Sequence, residues 1–354
     1  MAVAQADIPH SPLPLRGPWP QAYLDDIHLW LANSGGQVPF ANLLGNSGFI
    51  LSQRIGTAAT NVTGTAMTLD RWRVSSPGTC QITQELAPVA FPQFTNVLGF
   101  VCPNVGATPP LLIQRLSGVS QYRGDFSFTG FYHGSVIDNF PLDVTLTQNF
   151  GTGGAPSAAV RTLMGTIPAN TSGALVPFAM SATLPSDAGK TLGTNGDDYL
   201  ELEIKYIRAA AQAVLQTKFA GLDLRRGINP GVWSPYPLSV ELELCGAYFR
   251  KSYDRLTLPG AVTSKGSVMT RAGAALASLA MPGLFGGRMI RTPLVTLYSP
   301  VTGTAARVSN LTGPADIVVN ATDPNETTWG VITLAAAPAA ADMIRMQWTA
   351  DAEL

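Results

Sequence analysis

The chain has 354 residues, long enough for two or three domains with a sizeable buried core, and its formal net charge is −1. Only 13% of residues are charged while 46% are hydrophobic, and no run of Lys or Arg exceeds the Arg225-Arg226 pair, so the basic footprint of a nucleic-acid-binding protein is missing. The apolar stretches are short or broken by Gly and Pro, and the Ala-rich run from Ala274 to Met281 is well below the roughly 20 residues that cross a bilayer, so a soluble chain without membrane insertion is expected.

The first residues lack a basic region followed by an apolar stretch and do not read as a secretory signal. Residues 1 to about 17 are rich in Pro and small residues and read as an extended arm that finds its order against a neighbour. A helix is predicted next. Pro18 and Pro20 suit its start, Tyr23, Leu24, Ile27 and Leu31 recur at helical spacing, and Gly35-Gly36 ends it. Trp19 and Trp30 flank the element. Together with Tyr23, Leu24 and Ile27 they are the candidate residues for docking this region, 1–39, against a neighbour.

From Phe40 to Tyr253 the pattern is β. In 199–207, Leu200, Leu202, Ile204 and Tyr206 alternate with Glu201, Glu203 and Lys205, which predicts a strand with one buried and one wet face. Leu142, Val144 and Leu146 alternate with Asp143, Thr145 and Thr147, and Leu238, Val240, Leu242 and Leu244 alternate with Ser239, Glu241 and Glu243. Phe126 to Tyr132 adds an aromatic strand. Ala209–Phe219 and Arg271–Leu279 read as short helices, or alternatively as a loop insertion or an apolar strand.

The expected fold class is mainly β, a jelly-roll-like antiparallel sandwich over 40–253 with an N-terminal arm and helix. A small C-terminal β domain over 254–354 is expected to have strands near Leu294–Tyr298, Ile317–Asn320, Gly330–Leu334 and Met343–Trp348. No internal repeat marks a propeller or solenoid.

Chemistry-bearing residues are sparse. Cys80, Cys102 and Cys245 are odd in number and widely spaced, and read as small buried hydrophobes in a reducing cytosol rather than as a disulfide framework or zinc site. His10, His28 and His133 are the only histidines, and no Gly-x-Ser-x-Gly elbow occurs, so a hydrolytic triad is not expected. Asp125, Asp138, Asp143, Glu201 and Glu203 are the carboxylates a glycosidase would draw on, although acids alternating along a strand ordinarily form its solvated face. Asn195-Gly196-Asp197-Asp198 offers oxygen ligands of the kind calcium takes but lacks EF-hand spacing, and reads as an ordinary hairpin turn; no metal and no cofactor are expected. Gly-Thr-Gly-Gly at 151–154 has no Lys-Ser or Lys-Thr after it and is read as a turn rather than a phosphate loop. The sequons at Asn61, Asn170, Asn310, Asn320 and Asn325 matter only in a eukaryotic secretory setting.

A series of short segments carries a resemblance. Asn42-Leu43-Leu44-Gly45-Asn46-Ser47-Gly48-Phe49, Gln53-Arg54 and Leu69-Asp70-Arg71-Trp72 are followed in order by Gln114-Arg115 and Thr147–Gly154. Leu184-Pro185-Ser186 with Gly189-Lys190, Gly193–Leu200, and Glu241–Cys245 with Tyr248-Phe249 complete the series. This order resembles phage and prophage tail-fibre or virion-appendage proteins, in which such a pattern opens a sandwich similar to carbohydrate-binding modules. The final Trp348–Leu354 resembles the chain ends of that group, which implies that little follows the last strand.

The resemblance implies a non-catalytic virion protein, made in the host cytoplasm, that contacts other virion proteins through its N-terminal region and self-associates, most simply as a homotrimer. It implies attachment to a host-surface polysaccharide, with Trp233 and Tyr236 in a turn-rich loop, and Trp72, as candidate carbohydrate contacts. Trp72 reads equally as a core anchor at a strand start. The alternatives are a purely architectural capsid decoration or collar protein, and a capsule-degrading glycosidase.

Overall fold

The computed structural model describes residues 42–103, 109–134, 140–170, 172–207, 214–273, 278–313 and 316–354. The predicted arm and helix, with Trp19, Tyr23, Leu24, Ile27 and Trp30, lie outside the described residues.

The first sheet holds ten antiparallel strands: β1 (Thr60–Met67), β2 (Arg73–Leu86), β3 (Asn96–Pro103), β4 (Leu111–Ser117), β5 (Gly124–Gly134), β6 (Leu142–Asn149), β7 (Val160–Ile167), β8 (Val176–Leu184), β9 (Tyr199–Tyr206) and β10 (Val214–Arg226). Their order is β7-β6-β9-β4-β2-β3-β10-β5-β8, with β1 beside β2. Strand β2 converts this ribbon into a sandwich. Its first residues, Arg73 to Ser75, pair with β4, and its last, Gln81 to Leu86, pair with β3, while β1 follows it along the other edge. The β7-β6-β9-β4 layer therefore folds over the β3-β10-β5-β8 layer. Phe100 of β3 stacks on Tyr206 of β9 with ring centroids 5.6 Å apart, and the Tyr206 hydroxyl shares a hydrogen bond with Thr217 of β10.

Alternation explains the core. Leu142, Val144 and Leu146 of β6, and Leu200, Leu202, Ile204 and Tyr206 of β9, all point inward and are buried with Phe126, Phe128 and Tyr132 of β5. Gly130 keeps the period of that last strand but leaves room. A Cβ there would stand 2.6 Å from Leu222 and 2.9 Å from Phe178.

Past β10 comes a helix, α1 (Leu238–Gly246), where the Leu/Glu alternation predicts a strand. Pro235 and Pro237 just before it donate no backbone hydrogen bond, and Pro237 suits a helix entry. The buried positions are Glu241 and Cys245, four apart on one helical face, and the last residue, Gly246, whereas Leu238 and Leu244 are exposed. The leucines that suggested an inward strand face are thus partly wasted on solvent. In the two segments read as short helices or, alternatively, as a loop insertion or apolar strand, the described residues take the strand alternative: Val214–Phe219 begins β10, and Arg271 ends β12 (Val268–Arg271) while Ser278-Leu279 begin β13 (Ser278–Leu284).

The second sheet has eight strands, completed by β11 (Phe249–Lys251), β14 (Leu294–Tyr298), β15 (Arg307–Asn310), β16 (Asp316–Pro324), β17 (Thr328–Leu334) and β18 (Met343–Asp351). All four strands expected in this part of the chain are present. Strand β18 is its hub, pairing with β11, β12, β14 and β15. Val295, Leu297, Trp329, Ile332, Ile344, Met346 and Trp348 form a separate core.

Cys80 and Cys102 face each other from β2 and β3 and form a disulfide with Cα atoms 4.2 Å apart. The expectation of free thiols at these two positions is overturned; Cys245 alone is a buried free thiol. Sequence spacing does not reveal which strand positions oppose one another, and it is register that brings the two sulfurs together.

Candidate functional site: a buried joint between the two sheets

Most of the segments that carry the resemblance converge on one place, namely 42–49, Gln53-Arg54, Leu69–Trp72, Gln114-Arg115, Glu241–Cys245 with Tyr248-Phe249, and the terminal Trp348–Leu354. Thr147–Gly154, Leu184–Lys190 and Gly193–Leu200 meet one another elsewhere. Residues 42–49 run along β10 and under the β1–β2 turn. Asn42 accepts hydrogen bonds from the Leu44 and Leu224 amides and donates to the Leu222 carbonyl. Gly45 and the Gln114 side-chain amide bond reciprocally, at 2.8 and 3.0 Å. The Asn46 side chain, fully buried, donates to the carbonyls of Leu51 and Asp70 and accepts from the Leu51 amide. Asn46 has φ 51°, a left-handed conformation that Asn tolerates better than most residues. Its own amide donates to the Glu241 carboxylate at 2.8 Å, which ties α1 to the sandwich, and burial pushes the Glu241 pKa up.

Leu69-Asp70-Arg71-Trp72 is the turn joining β1 to β2, closed by bonds from the Trp72 amide to the Leu69 carbonyl and from the Thr68 amide to the Trp72 carbonyl, both 2.8 Å. The turn separates three side chains. Asp70 turns inward and accepts the Gln53 amide at 2.7 Å; burial raises its pKa, with the Gln53 hydrogen bonds opposing that rise. Trp72 is fully buried, packs on Phe49 at 5.4 Å, and donates to the Asn46 carbonyl at 3.1 Å. Arg71, with φ 70°, is aimed at the second sheet.

There Arg71 pairs with Glu353, donates to the Arg115 carbonyl, and lies over the Tyr248 ring at 3.2 Å. Arg54 pairs with Asp351 and, at 3.6 Å, with Glu353, over the ring of Phe249. Arg73 donates to the Leu354 carbonyl, and Arg291 to the carbonyls of Ala352 and Glu353. Lys251 of β11 donates to the carbonyls of Gln53, Arg255 and Thr257, and burial lowers its pKa to about 8. The Arg71 and Glu353 side chains are only 3% and 6% exposed, so this is a desolvated ionic junction rather than a surface bridge.

The three candidate carbohydrate contacts meet at the same segment, each as a clamp. Trp72 has no exposed ring face on which a pyranose could stack, so its place is that of a core anchor. Trp233 is half-buried against Phe94 at 5.1 Å and donates to the Ser47 hydroxyl at 3.2 Å. Tyr236 donates to the Asn42 carbonyl at 2.9 Å, and burial lifts its pKa to about 12. Trp233 presses on the β10 bulge where Gly221 (φ +55°) stands; a Cβ there would lie 3.1 Å from the indole and 2.5 Å from Phe94. Among the described residues every Trp, Tyr and Phe is buried or half-buried.

Two further expectations are corrected. Glu201 and Glu203 do not form a wet face. They are 9% and 5% exposed and pair with Arg115 at 2.7 Å and Arg161 at 2.6 Å, with Arg115 also over the Tyr199 ring. The Asn195–Asp198 loop is not a hairpin turn, because β8 and β9, which it connects, are not neighbours. It zips onto the Gly-Thr-Gly-Gly loop instead. Asp197 accepts from the Thr152 amide and hydroxyl, bonds that hold its carboxyl below the usual range, and Asp198 accepts from the Val119 amide at 2.6 Å. These oxygens serve protein donors, and among the described residues no cluster of acids, histidines and cysteines suits a metal ion.

Sequence reasoning had the joint's pieces without their meeting point. Gln53-Arg54, Asp70-Arg71-Trp72, Gln114-Arg115 and the terminal segment each place a charge or amide beside an aromatic or a second polar group, and Tyr248-Phe249 pairs two aromatics. In a chain with 13% charged residues that recurrence was the available signal. Lys251, Arg73 and Arg291 had none.

No protein-family model matches this chain, and no curated protein matches it in sequence. Solved structures similar to it are β-sandwich modules. The CBM22-1 and GH10 modules of Clostridium thermocellum endo-1,4-beta-D-xylanase 10B, complexed with xylohexaose, match at 8% identity and a TM-score of 0.30, over 56% of this chain and 33% of that one. The CBM22-1 xylan-binding domain of Paenibacillus barcinonensis matches at 11% identity and a TM-score of 0.30, over 50% of this chain and 99% of that one. A family 11 carbohydrate-binding module of a Clostridium thermocellum cellulosomal cellulase matches at 10% identity and a TM-score of 0.29, over 50% and 99%. Likenesses of this size carry no site from one chain to the other.

Proposed function

We propose that this chain is a non-catalytic structural protein of a bacteriophage-like particle, of the tail-fibre or head-appendage kind, whose joint makes two β units behave as one body. One observation carries the reading: most of the segments in which the chain resembles such proteins supply charged and amide groups to a single buried junction. Architecture, rather than ligand capture, accounts for those residues. Docking through residues 1–39, the three-part division at 39/40 and 253/254, homotrimer formation and residence in the virion belong to the same proposal.

Attachment to a host-surface glycan stands second to architecture, because the three aromatics expected to contact a sugar are engaged in the joint: Trp72 is fully buried, Trp233 donates to the Ser47 hydroxyl and Tyr236 to the Asn42 carbonyl. Glycosidase chemistry stands third, since Glu201 and Glu203 are each committed to an arginine. Mass spectrometry of purified particles tests the first reading: the chain is expected at fixed stoichiometry, and its absence overturns the proposal. A glycan array probed with the full chain is expected to show no binding above background. Strong binding that is lost in Trp233→Ala, without loss of folding, would reverse the ranking.

A further inference from the structure

The Cys80–Cys102 bond sits beside a gap in the β2 ladder. Strand β2 leaves β4 after Ser75 and meets β3 at Gln81, and residues 77–79 also have no partner on β1, whose register shifts between Val62 and Gly64. Pro77 has no N–H to give a ladder and Gly78 adds freedom. Both sulfur-bearing residues are fully buried, so an oxidant or reductant reaches them only through an opening. The edge strand beside Cys80 is β1. Strand β1 pairs with β2 alone, most of its residues are exposed or half-buried, and its one buried residue, Val62, is the register partner of Cys80.

We propose that Cys80–Cys102 is a redox lock that closes on the already folded chain when the β1 edge strand opens. Ladder pairs stand on both sides of the gap, Gly64 with Ser76 and Val62 with Cys80 on β1 and Gln81 with Val101 on β3, and they do not depend on the bond, so the fold forms with both thiols reduced. In an oxidising medium the Cys80 thiolate attacks a small-molecule disulfide, forms a mixed disulfide and expels one thiol. The Cys102 thiolate then attacks the Cys80 sulfur, forms the Cys80–Cys102 bond and expels the second thiol. Two protein thiols are oxidised, one external disulfide is reduced, and the two protons end on the released thiols. Reclosure of β1 shields the bond and pins β2 at its crossover. Cys245 has no second sulfur to meet and stays a thiol.

The test uses the full chain, reduced during purification and then exposed to oxidised glutathione without denaturant. The expected result is loss of two of three thiols, a Cys80–Cys102 peptide by mass spectrometry, and an unfolding midpoint raised by roughly 5–10 °C over the reduced chain. Val62→Ala, which loosens β1, is expected to speed closure roughly five- to tenfold, whereas Leu297→Ala, in the other core, leaves the rate unchanged. Closure only in denaturant, equal acceleration by both variants, or equal midpoints for the oxidised and reduced chain each overturn the proposal. Comparison of the two redox states of the unaltered chain keeps the stability arm decisive should a variant fail to fold.

Discussion

Arg71 and Arg288 each pair with a glutamate, yet the two pairs live in different solvents. In the joint, the Arg71 and Glu353 side chains are 3% and 6% exposed, and Arg71 also satisfies a carbonyl and covers an aromatic ring. On the rim of the second unit, Arg288 and Glu326 are 75% and 36% exposed at 2.5 Å. Geometry alone ranks the pairs as equals. Desolvation does not: removing one partner of a buried pair strands the other charge where water cannot reach it, while an exposed charge simply rehydrates. The Arg71–Glu353 pair therefore depends on both members being present, and the rim pair is nearly dispensable.

Substitutions that break the comparison can be ranked. Arg71→Ala is expected to cost about 3–5 kcal/mol of stability in equilibrium denaturation, because Glu353 and the Arg115 carbonyl lose a charged donor in a dry site. Asn46→Ala removes three buried hydrogen bonds and leaves a left-handed residue without its preferred side chain, for an expected loss of about 2–4 kcal/mol on the same scale. Arg288→Ala is expected to change stability by less than about 0.5 kcal/mol, and a loss above 2 would sink the distinction between the two regions.

Lys251 sharpens the comparison through pH. Burial, the largest cause, lowers its pKa from 10.5 to about 8. Between those values the unfolded chain holds a proton on Lys251 that the folded chain has lost, so this residue's contribution to stability rises as pH increases from about 8 to about 10.5. Below that window both states are charged and the burial penalty is constant. The unaltered chain is thus expected to gain stability relative to Lys251→Met across the window, measured as the difference in unfolding midpoint. A flat difference would show that Lys251 keeps an ordinary pKa.

The sandwich was largely legible because period-two alternation is a local property. Leu200 to Tyr206 and Leu142 to Leu146 announced both their strand and their inward face. The same rule misread 238–246, where Leu and Glu alternate but burial follows Glu241 and Cys245 at helical spacing. It also misread Glu201 and Glu203, since an outward residue on a broad sheet can be covered by long arginines from β4 and β7. The joint was legible only in pieces. Arg71 and Glu353 are 282 residues apart, and no local pattern records that the β1–β2 turn and the end of β18 meet. The disulfide failed to announce itself for the same reason, since strand register alone decides it.

Differential scanning calorimetry of the unaltered chain beside the Arg54→Ala/Arg71→Ala double variant tests the central claim most directly. If the joint makes the two sheets one body, the unaltered chain absorbs heat in a single transition. The variant, with Asp351 and Glu353 stripped of their partners, then splits it into two, one for each core. Two resolved transitions in the unaltered chain, or a single undisturbed one in the variant, would contradict the account.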